Sequence, residues 1–289
     1  MNEYQDTVNK ELEHIFGSLK TQVKNSNMPN ILYKAMHYAV FNGGKRIRPV
    51  LCVASYKACH PRCDFATRKR ERSASNNRHL SAILPFACGI ELIHSFSLIQ
   101  DDLPCMDDDD FRRGKLSLHR VFGEDIALLA ADGLFAQAFE LFTKAPIDQK
   151  RKIQAIAELS RICGPVGLVA GQVLDVSSKN QKTIGKIKNQ IDEKKTAELI
   201  AGSLKIGAII AGARESVRDK LYKAGIYLGL LFQTTDDISD ERKNALDAQR
   251  KLFNQAVKYS NHAKAIFNTL GTRFDMFNKL TDYILTRKI

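Results

Sequence analysis

Six aspartates and two arginines crowd into one short stretch, Gln100-Asp101-Asp102-Leu103-Pro104-Cys105-Met106-Asp107-Asp108-Asp109-Asp110-Phe111-Arg112-Arg113. Massing that many carboxylates costs free energy unless a cation compensates, and oxygen-only ligands suit a hard divalent ion, above all Mg²⁺. The run before it, 88–100, has helical character, so Asp101 and Asp102 are expected near a helix C-terminus, where the macrodipole also favours a cation. Pro104 removes a backbone donor and ends or bends that helix, which lets the chain curl until Asp107 faces Asp101. The plainer alternative is a solvated acidic loop.

A second acidic stretch weakens that alternative. Phe232-Gln233-Thr234-Thr235-Asp236-Asp237-Ile238-Ser239-Asp240 follows an apolar helical run, and Asp236 and Asp240 fall on one helical face. Like charges at that spacing repel unless something cationic sits between or opposite them. Two such clusters far apart in sequence suggest two walls of one cavity holding several Mg²⁺ ions. A site of that kind binds a phosphate-rich ligand, because Mg²⁺ keeps part of its shell for water and substrate oxygens.

Cationic side chains for such a ligand are present. In Gly43-Gly44-Lys45-Arg46-Ile47-Arg48-Pro49 the glycines permit an unusual backbone path and Pro49 suits the first turn of a helix. Lys45, Arg46 and Arg48 are thereby presented beside a helix N-terminus, a plausible diphosphate cradle, although such a turn is often only solvated. His94, Ser97 and Asp101 share a helical face, so His94 points toward the same cavity as the first carboxylate unless it is a satisfied core histidine. Gly164, Gly167 and Gly171 allow a close helix approach, and Gln172 and Asp175 beyond them are candidates for cavity lining.

The elements that must position these residues are helical throughout. Amphipathic periodicity covers 3–24, 31–41, 50–58, 80–100, 124–143, 148–163, 191–211 and 217–240, and helical patterns continue to the C-terminus. No strand-rich section or glycine-rich nucleotide loop occurs, so the expected fold is a single all-α domain over 1–289, a bundle around a central cavity. Residues 61–79 are polar and basic and read as an exposed loop.

At 289 residues and 44% hydrophobic content the chain can bury a sizeable core without staples. Its six cysteines mostly lie inside apolar patterns and read as reduced packing residues of a cytoplasmic protein; Cys59 and Cys63 lack the second pair a zinc site needs. The formal charge of +12 fits a polyanionic substrate, and no nucleic-acid module accompanies it. No run of about 18 apolar residues suggests a membrane span, and the start lacks a signal core.

Taken together the motifs resemble the trans-polyprenyl diphosphate synthases of bacterial and plastid type. The Gly43–Pro49 turn, the Ser97–Gly114 stretch, Gly171-Gln172-Val173-Leu174-Asp175, Lys195-Thr196 and the Phe232–Asp240 stretch stand in that family's order. The resemblance implies an isoprenoid-synthase fold, a homodimer, and condensation of isopentenyl diphosphate with an allylic diphosphate, dimethylallyl or geranyl. It implies three Mg²⁺ ions held by Asp101, Asp107 and Asp236, with Asp102, Asp237 and Asp240 in support. Arg112 and Lys195 would hold the allylic diphosphate, and Lys45, Arg48, His94 and Arg113 the isopentenyl diphosphate. The oxygens of Thr196 and Gln233 would face the allylic cation. Phe96, at the fifth position before the first aspartate, would close the apolar end of the cavity while Ser97 leaves space, which favours farnesyl diphosphate over the longer geranylgeranyl product.

The chain departs from the family pattern after Asp240. A glycine-lysine loop usual there is replaced by Glu241-Arg242-Lys243-Asn244-Ala245, with Lys243 the candidate substitute. Two rival readings follow: a catalytically impaired diphosphate-binding partner subunit, which the missing loop favours, and a cyclase of the same fold, which would usually lack the Gly43–Arg48 cradle.

Overall fold

A computed structural model describes residues 2–60, 80–178, 184–240 and 246–286, without the side chains of 184–186, 240 and 246. The expected basic loop at 61–79, Lys243 and the side chain of Asp240 therefore lie outside the described residues. The chain divides into two compact units, one made of Met1–Val53 with Arg68–Asp148 and the other of Ala54–Thr67 with Gln149–Ile289.

The first unit contains α1 (Asn2–Lys24), α2 (Asn30–Phe41), the start of α3 (Ile47–Cys59), α4 (Leu84–Asp102), α5 (Leu118–Phe122) and α6 (Glu124–Lys144). Helix α1 buries Val8, Leu12, Ile15 and Phe16, the stripe its periodicity predicts. Helix α4 is apolar nearly all round and is the unit's core, packed by α1, α2 and α6. Gly89 lets α6 come close, since a Cβ there would collide with the Phe142 ring, and Phe142 stacks on Phe86 at 4.9 Å.

Between α4 and α5 lies a short hairpin, β1 (Phe111–Arg112) and β2 (Lys115–Leu116), with Phe111 opposite Leu116 and Arg112 opposite Lys115. Its two turn residues, Arg113 and Gly114, have φ of +55° and +78°, the paired left-handed values of a type I′ turn. The turn aims the Arg113 side chain, as described below.

The second unit takes the end of α3, then α7 (Gln149–Cys163), α8 (Leu168–Ser178), α9 (Ile184–Ile191), a π-helical turn (Asp192–Ala197), α10 (Glu198–Ile210), α11 (Glu215–Asp240), α12 (Leu246–Asn268), a 3₁₀ turn (Thr272–Phe274) and α13 (Asp275–Thr286). Helix α10 is buried along its whole length, and α7 and α11 pack on it. Gly202 meets Ile162 of α7, and Gly225 of α11 meets the backbone of Ala201. At the C-terminal end Phe277 stacks on Phe267 and on Phe274, with centroids 5.1 Å and 6.0 Å away.

Helix α6 and the stretch Gln149–Ser178 are long and apolar enough, by length and composition, to cross a membrane. In the fold, α6 packs against α4 and α2 and buries Ala127, Ala130, Ala131, Leu134 and Ala138, and the second stretch is two helices, α7 and α8. Both therefore have a use inside a folded domain.

Candidate functional site

The candidate residues fall into two groups, one within each unit. In the first unit, Asp101 and Asp102 are the last residues of α4. The chain then leaves the helix at Leu103, φ −60° and ψ 150°, and coils back on the helix end. Met106 N–H donates to Leu103 O at 2.8 Å, Asp107 N–H to Asp101 O at 2.9 Å, and Asp108 N–H to Leu103 O at 3.2 Å. Carbonyls orphaned at the helix C-terminus are satisfied this way, and the return loop brings the Asp107 backbone to Asp101 as Pro104 foretells. Both aspartates are half-buried.

Asp102 is more enclosed, 3% exposed, and accepts from Nε of Arg112 at 2.9 Å and from the same guanidinium's Nη2. Arg112 also reaches Asp109 Oδ2 at 3.1 Å. Burial lifts the Asp102 carboxyl above its usual range, with Arg112 opposing. Arg112, expected to hold a diphosphate, is thus already paired inside its own loop.

The basic residues gather beside this loop. Gly43 and Gly44 have φ of +85° and +119°, and a Cβ on Gly44 would lie 2.5 Å from the Arg113 guanidinium. Arg113 Nη1 donates to the Gly43 carbonyl, Asn42 Nδ2 to the Arg112 carbonyl at 3.4 Å, and Tyr38 Oη to the Leu116 carbonyl at 2.9 Å. The hairpin is thereby fastened to the end of α2 and the glycine turn. Lys45 is exposed on the turn, and Arg48, in the first turn of α3, donates from Nη1 to His94 Nε2 at 3.1 Å.

Arginine can only donate, so His94 Nε2 is unprotonated and the ring is the neutral Nδ1–H form. Burial, reinforced by Arg48, Arg113, Arg46 and Arg112, holds the His94 pKa well below its ordinary value. A pocket lined by Asn42, Ser95, Leu98, Asp102, Arg112 and Arg113 opens beside this group.

Arg46 corrects the sequence-based expectation. It is 5% exposed, pairs with Glu91 Oε1 at 2.6 Å, and donates to Val40 O at 2.6 Å and Asn9 Oδ1 at 3.2 Å. Its guanidinium is spent on tying α1, α2 and α4 together, and its φ of +50° turns it inward, away from Lys45 and Arg48. Burying an unpaired Glu91 would be costly, which explains why the middle basic residue of the turn goes inside.

Phe96 packs its ring on Phe135 of α6 at 5.0 Å, and Phe135 packs on Phe139 at 5.0 Å, so it begins an aromatic ladder that ends at the Phe142–Phe86 stack. Ser97 is buried and donates to the His94 carbonyl at 2.9 Å.

In the second unit the candidate side chains surround the π-helical turn. Glu198 N–H bonds to Glu193 O, five residues back, which inserts an extra residue at Lys195-Thr196 and re-aims both side chains. Two glycines clamp the turn. A Cβ on Gly171 of α8 would lie 2.6 Å from Lys195 N, and one on Gly229 of α11 would collide with Ala197 Cα. Of the three glycines expected to admit a neighbouring helix, only Gly171 does so; Gly164 and Gly167 sit against carbonyls of the last turn of α7.

Lys195 Nζ pairs with Asp175 Oδ2 at 2.7 Å. Thr196 Oγ1 donates to Gln233 Oε1 at 3.1 Å, and Gln233 Nε2 donates to Asp237 Oδ1 at 3.0 Å. The carboxylate can only accept, so the Gln233 amide is fixed with its oxygen toward Thr196. Asp236 is half-buried one residue before Asp237 on α11, and Gln172 Nε2 is buried with no hydrogen-bond partner among the described residues.

Two residues of this network were absent from the sequence-based candidates: Lys188, which pairs with Asp237 Oδ2 at 2.9 Å, and Asp192, which it reaches at 3.2 Å. The four-residue spacing of Lys188 and Asp192 was the available signal. Burial pulls the Lys188 ammonium down, but Asp237 and Asp192 outweigh it and hold its pKa above the usual lysine value. Burial raises Asp192, with Lys188 opposing.

Among the described residues no three carboxylate, imidazole or thiol groups converge on a metal position. The donors are carboxylate oxygens in ones and twos, which fits Mg²⁺, an ion usually held by one or two carboxylates with water and substrate phosphate completing its shell.

Comparison with known proteins agrees with these motifs. Residues 29–281, which run through both units, match the polyprenyl synthetase family. The chain is 40% identical over 243 residues to geranylgeranyl pyrophosphate synthase 4 of Arabidopsis thaliana, covering 83% of this chain and 59% of that protein. It is 37% identical over 229 residues to farnesyl diphosphate synthase of Bacillus subtilis, covering 78% of this chain and 72% of that one. Among solved structures it resembles a geranyltransferase from Legionella pneumophila, with a TM-score of 0.80, 27% identity, and 99% and 95% of the two chains covered. The chain spans less than two thirds of the length of the plant relatives it matches, 59% in the Arabidopsis case. With the aspartate-rich helix ends, the glycine-borne basic turn and the Lys195-Thr196 turn in place, the chain belongs to the polyprenyl synthetase family.

Proposed function

We propose that this protein is a Mg²⁺-dependent trans-prenyltransferase of isoprenoid biosynthesis that condenses isopentenyl diphosphate with dimethylallyl or geranyl diphosphate, giving farnesyl diphosphate. The observation that carries the reading is within the first unit: a carboxylate-rich helix end and a glycine-built cluster of Lys45, Arg48, His94 and Arg113 are assembled side by side. One group suits metal with an allylic diphosphate and the other suits a second diphosphate that needs no metal.

Asp101, Asp107 and Asp236, supported by Asp102, Asp237 and Asp240, are proposed to hold three Mg²⁺ ions, which when bound would draw off charge from the departing diphosphate. Lys195 and Arg112 would bind that diphosphate by exchanging their present carboxylate partners for phosphate oxygens. The Thr196 and Gln233 oxygens, locked by the bond to Asp237, offer fixed dipoles to a developing allylic cation without presenting a strong nucleophile. Gln172, whose amide nitrogen has no hydrogen-bond partner among the described residues, would help line the substrate pocket. The homodimer and cytoplasmic setting expected from the sequence belong to the same proposal.

Product length rests on Phe96. Its place at the head of the aromatic ladder supports a fixed floor and hence the shorter product. The names of the plant relatives favour a second reading, geranylgeranyl diphosphate. Incubation with labelled isopentenyl diphosphate, each allylic primer and Mg²⁺, followed by chain-length analysis, tests both. Farnesyl diphosphate from the native protein and longer products from Phe96→Ala are expected. Failure to elongate any primer would favour the impaired partner subunit, and unchanged length in Phe96→Ala would remove Phe96 as the floor.

A further inference from the structure

Asp192 and Asp237 belong to different elements, the π-helical turn and α11, yet one ammonium reaches both. Lys188 Nζ lies 2.9 Å from Asp237 Oδ2 and 3.2 Å from Asp192 Oδ2. Side-chain exposures of 21% for Asp237 and 16% for Asp192 place the pair where water screens it weakly. The other Asp237 oxygen is committed to Gln233, so Oδ2 is the atom through which Asp237 would meet a cation, and Lys188 sits on it.

We propose that Lys188 is a tethered counter-cation that occupies the Asp192–Asp237 carboxylates and must be displaced before a divalent ion can use Asp237, so that it sets the metal threshold of the second aspartate cluster. The inference rests on the prenyltransferase reading, in which Asp237 supports metal binding. Its physical content is competition. A single positive charge already satisfies the carboxylate oxygen a metal needs, and the two cations repel at that distance. Lys188 remains 44% exposed on α9, so its side chain has solvent to swing into when displaced. While in place, it holds Asp237 in the position that orients Gln233 and, through Gln233, Thr196. Lys188 is thus a positioning residue, acting on the reaction through Asp237.

The test reads metal binding without substrate, in a protein whose first cluster has been silenced by Asp101→Asn and Asp107→Asn. Free Mn²⁺ is followed by electron paramagnetic resonance during titration. Lys188→Met is expected to bind Mn²⁺ about tenfold more tightly than its parent, because a repelling unit charge a few ångströms from a divalent ion is gone. Lys188→Arg, which keeps the charge, should stay within about twofold of the parent. A structural defect would weaken binding, so tightening is a signature that misfolding cannot imitate. If Lys188→Met weakens unfolding transitions, Lys188→Gln is the second neutral variant, with the same expectation. Unchanged or weaker Mn²⁺ binding in both neutral variants, tightening in Lys188→Arg as well, or no measurable binding in any of them would overturn the proposal. A loss of chain elongation in the native protein would instead count against the prenyltransferase reading and leave this binding result standing.

Discussion

Around Gly43 and Gly44 the protein gathers cations; around the π-helical turn it gathers carboxylates and pairs them with its own lysines. The first group is held by shape. Arg113 is aimed by a left-handed turn and lodged where a side chain on Gly44 would otherwise stand, and His94 stays neutral so that it adds no further charge to Arg48. The second is held by charge. Lys195 with Asp175 and Lys188 with Asp192 and Asp237 cancel one another, and the hydrogen bonds of Gln233 continue from that cancellation. The first group is thus ordered by hydrogen bonds to a backbone carbonyl and a neutral ring, whereas the lysines of the second are held by carboxylates. Order in the one rests on backbone geometry and in the other on charge pairing.

The largest effect should come from removing a carboxylate that no other group replaces. Asp101→Ala and Asp236→Ala are each expected to lower kcat by about a thousandfold or more, by analogy with removing a preorganised group that stabilises leaving charge. A loss of only a few fold in steady-state assays would count against metal-assisted departure at these positions. Next, Gly44→Ala breaks the shape-held group, since φ of +119° strains any side chain and the new Cβ meets Arg113. The KM for isopentenyl diphosphate should rise about tenfold with a smaller change in kcat. Equal losses in both groups' ligands would show that the two are not built differently.

In the second unit, Gly229→Ala drives a methyl into Ala197 at the π-helical turn. Chemical denaturation should show a loss of about 1–3 kcal/mol, or local repacking that shifts Lys195 and lowers allylic diphosphate affinity. The smallest effect is in pH dependence. The folded-state pKa of His94 lies below its unfolded value of about 6.5, so between the two the unfolded chain binds more protons. His94 therefore costs no stability above about pH 6.5 and progressively more as pH falls below it. Replacing it with Gln should flatten that slope in denaturation experiments between about pH 5 and 7, and an unaltered slope would place the acid sensitivity elsewhere.

Much of this was legible in advance because it is encoded over short distances. The all-α class follows from apolar residues at helical intervals, and the observed helices keep to that pattern: α1 spans Asn2–Lys24 where 3–24 was expected, and α11 spans Glu215–Asp240 where 217–240 was expected. The return loop to Asp101 is foreseeable from Pro104 and the helix end, and the donor type of the two acidic stretches, carboxylate oxygen, is given by residue type alone. The π-helical turn was not, since Asp192-Glu193-Lys194-Lys195-Thr196-Ala197 reads as ordinary helix. Its extra residue is accommodated by Gly171 and Gly229, far away in sequence and invisible to a local pattern.

Thus residue types and spacings by themselves determined which side chains could do the chemistry: oxygen donors for a hard ion, a glycine turn rich in cations, and amphipathic helices to carry both. Only the tertiary structure decided which charges remain at the site. Arg46 goes inside because Glu91, 45 positions later, must be neutralised within the core. Lys188 goes to the site because the packing of α11 against the π-helical turn brings Asp237 within reach of its long side chain. Both residues are basic and lie near a predicted site, and their roles diverge because long-range packing, which pairs charges across sequence distance, is absent from any local spacing rule.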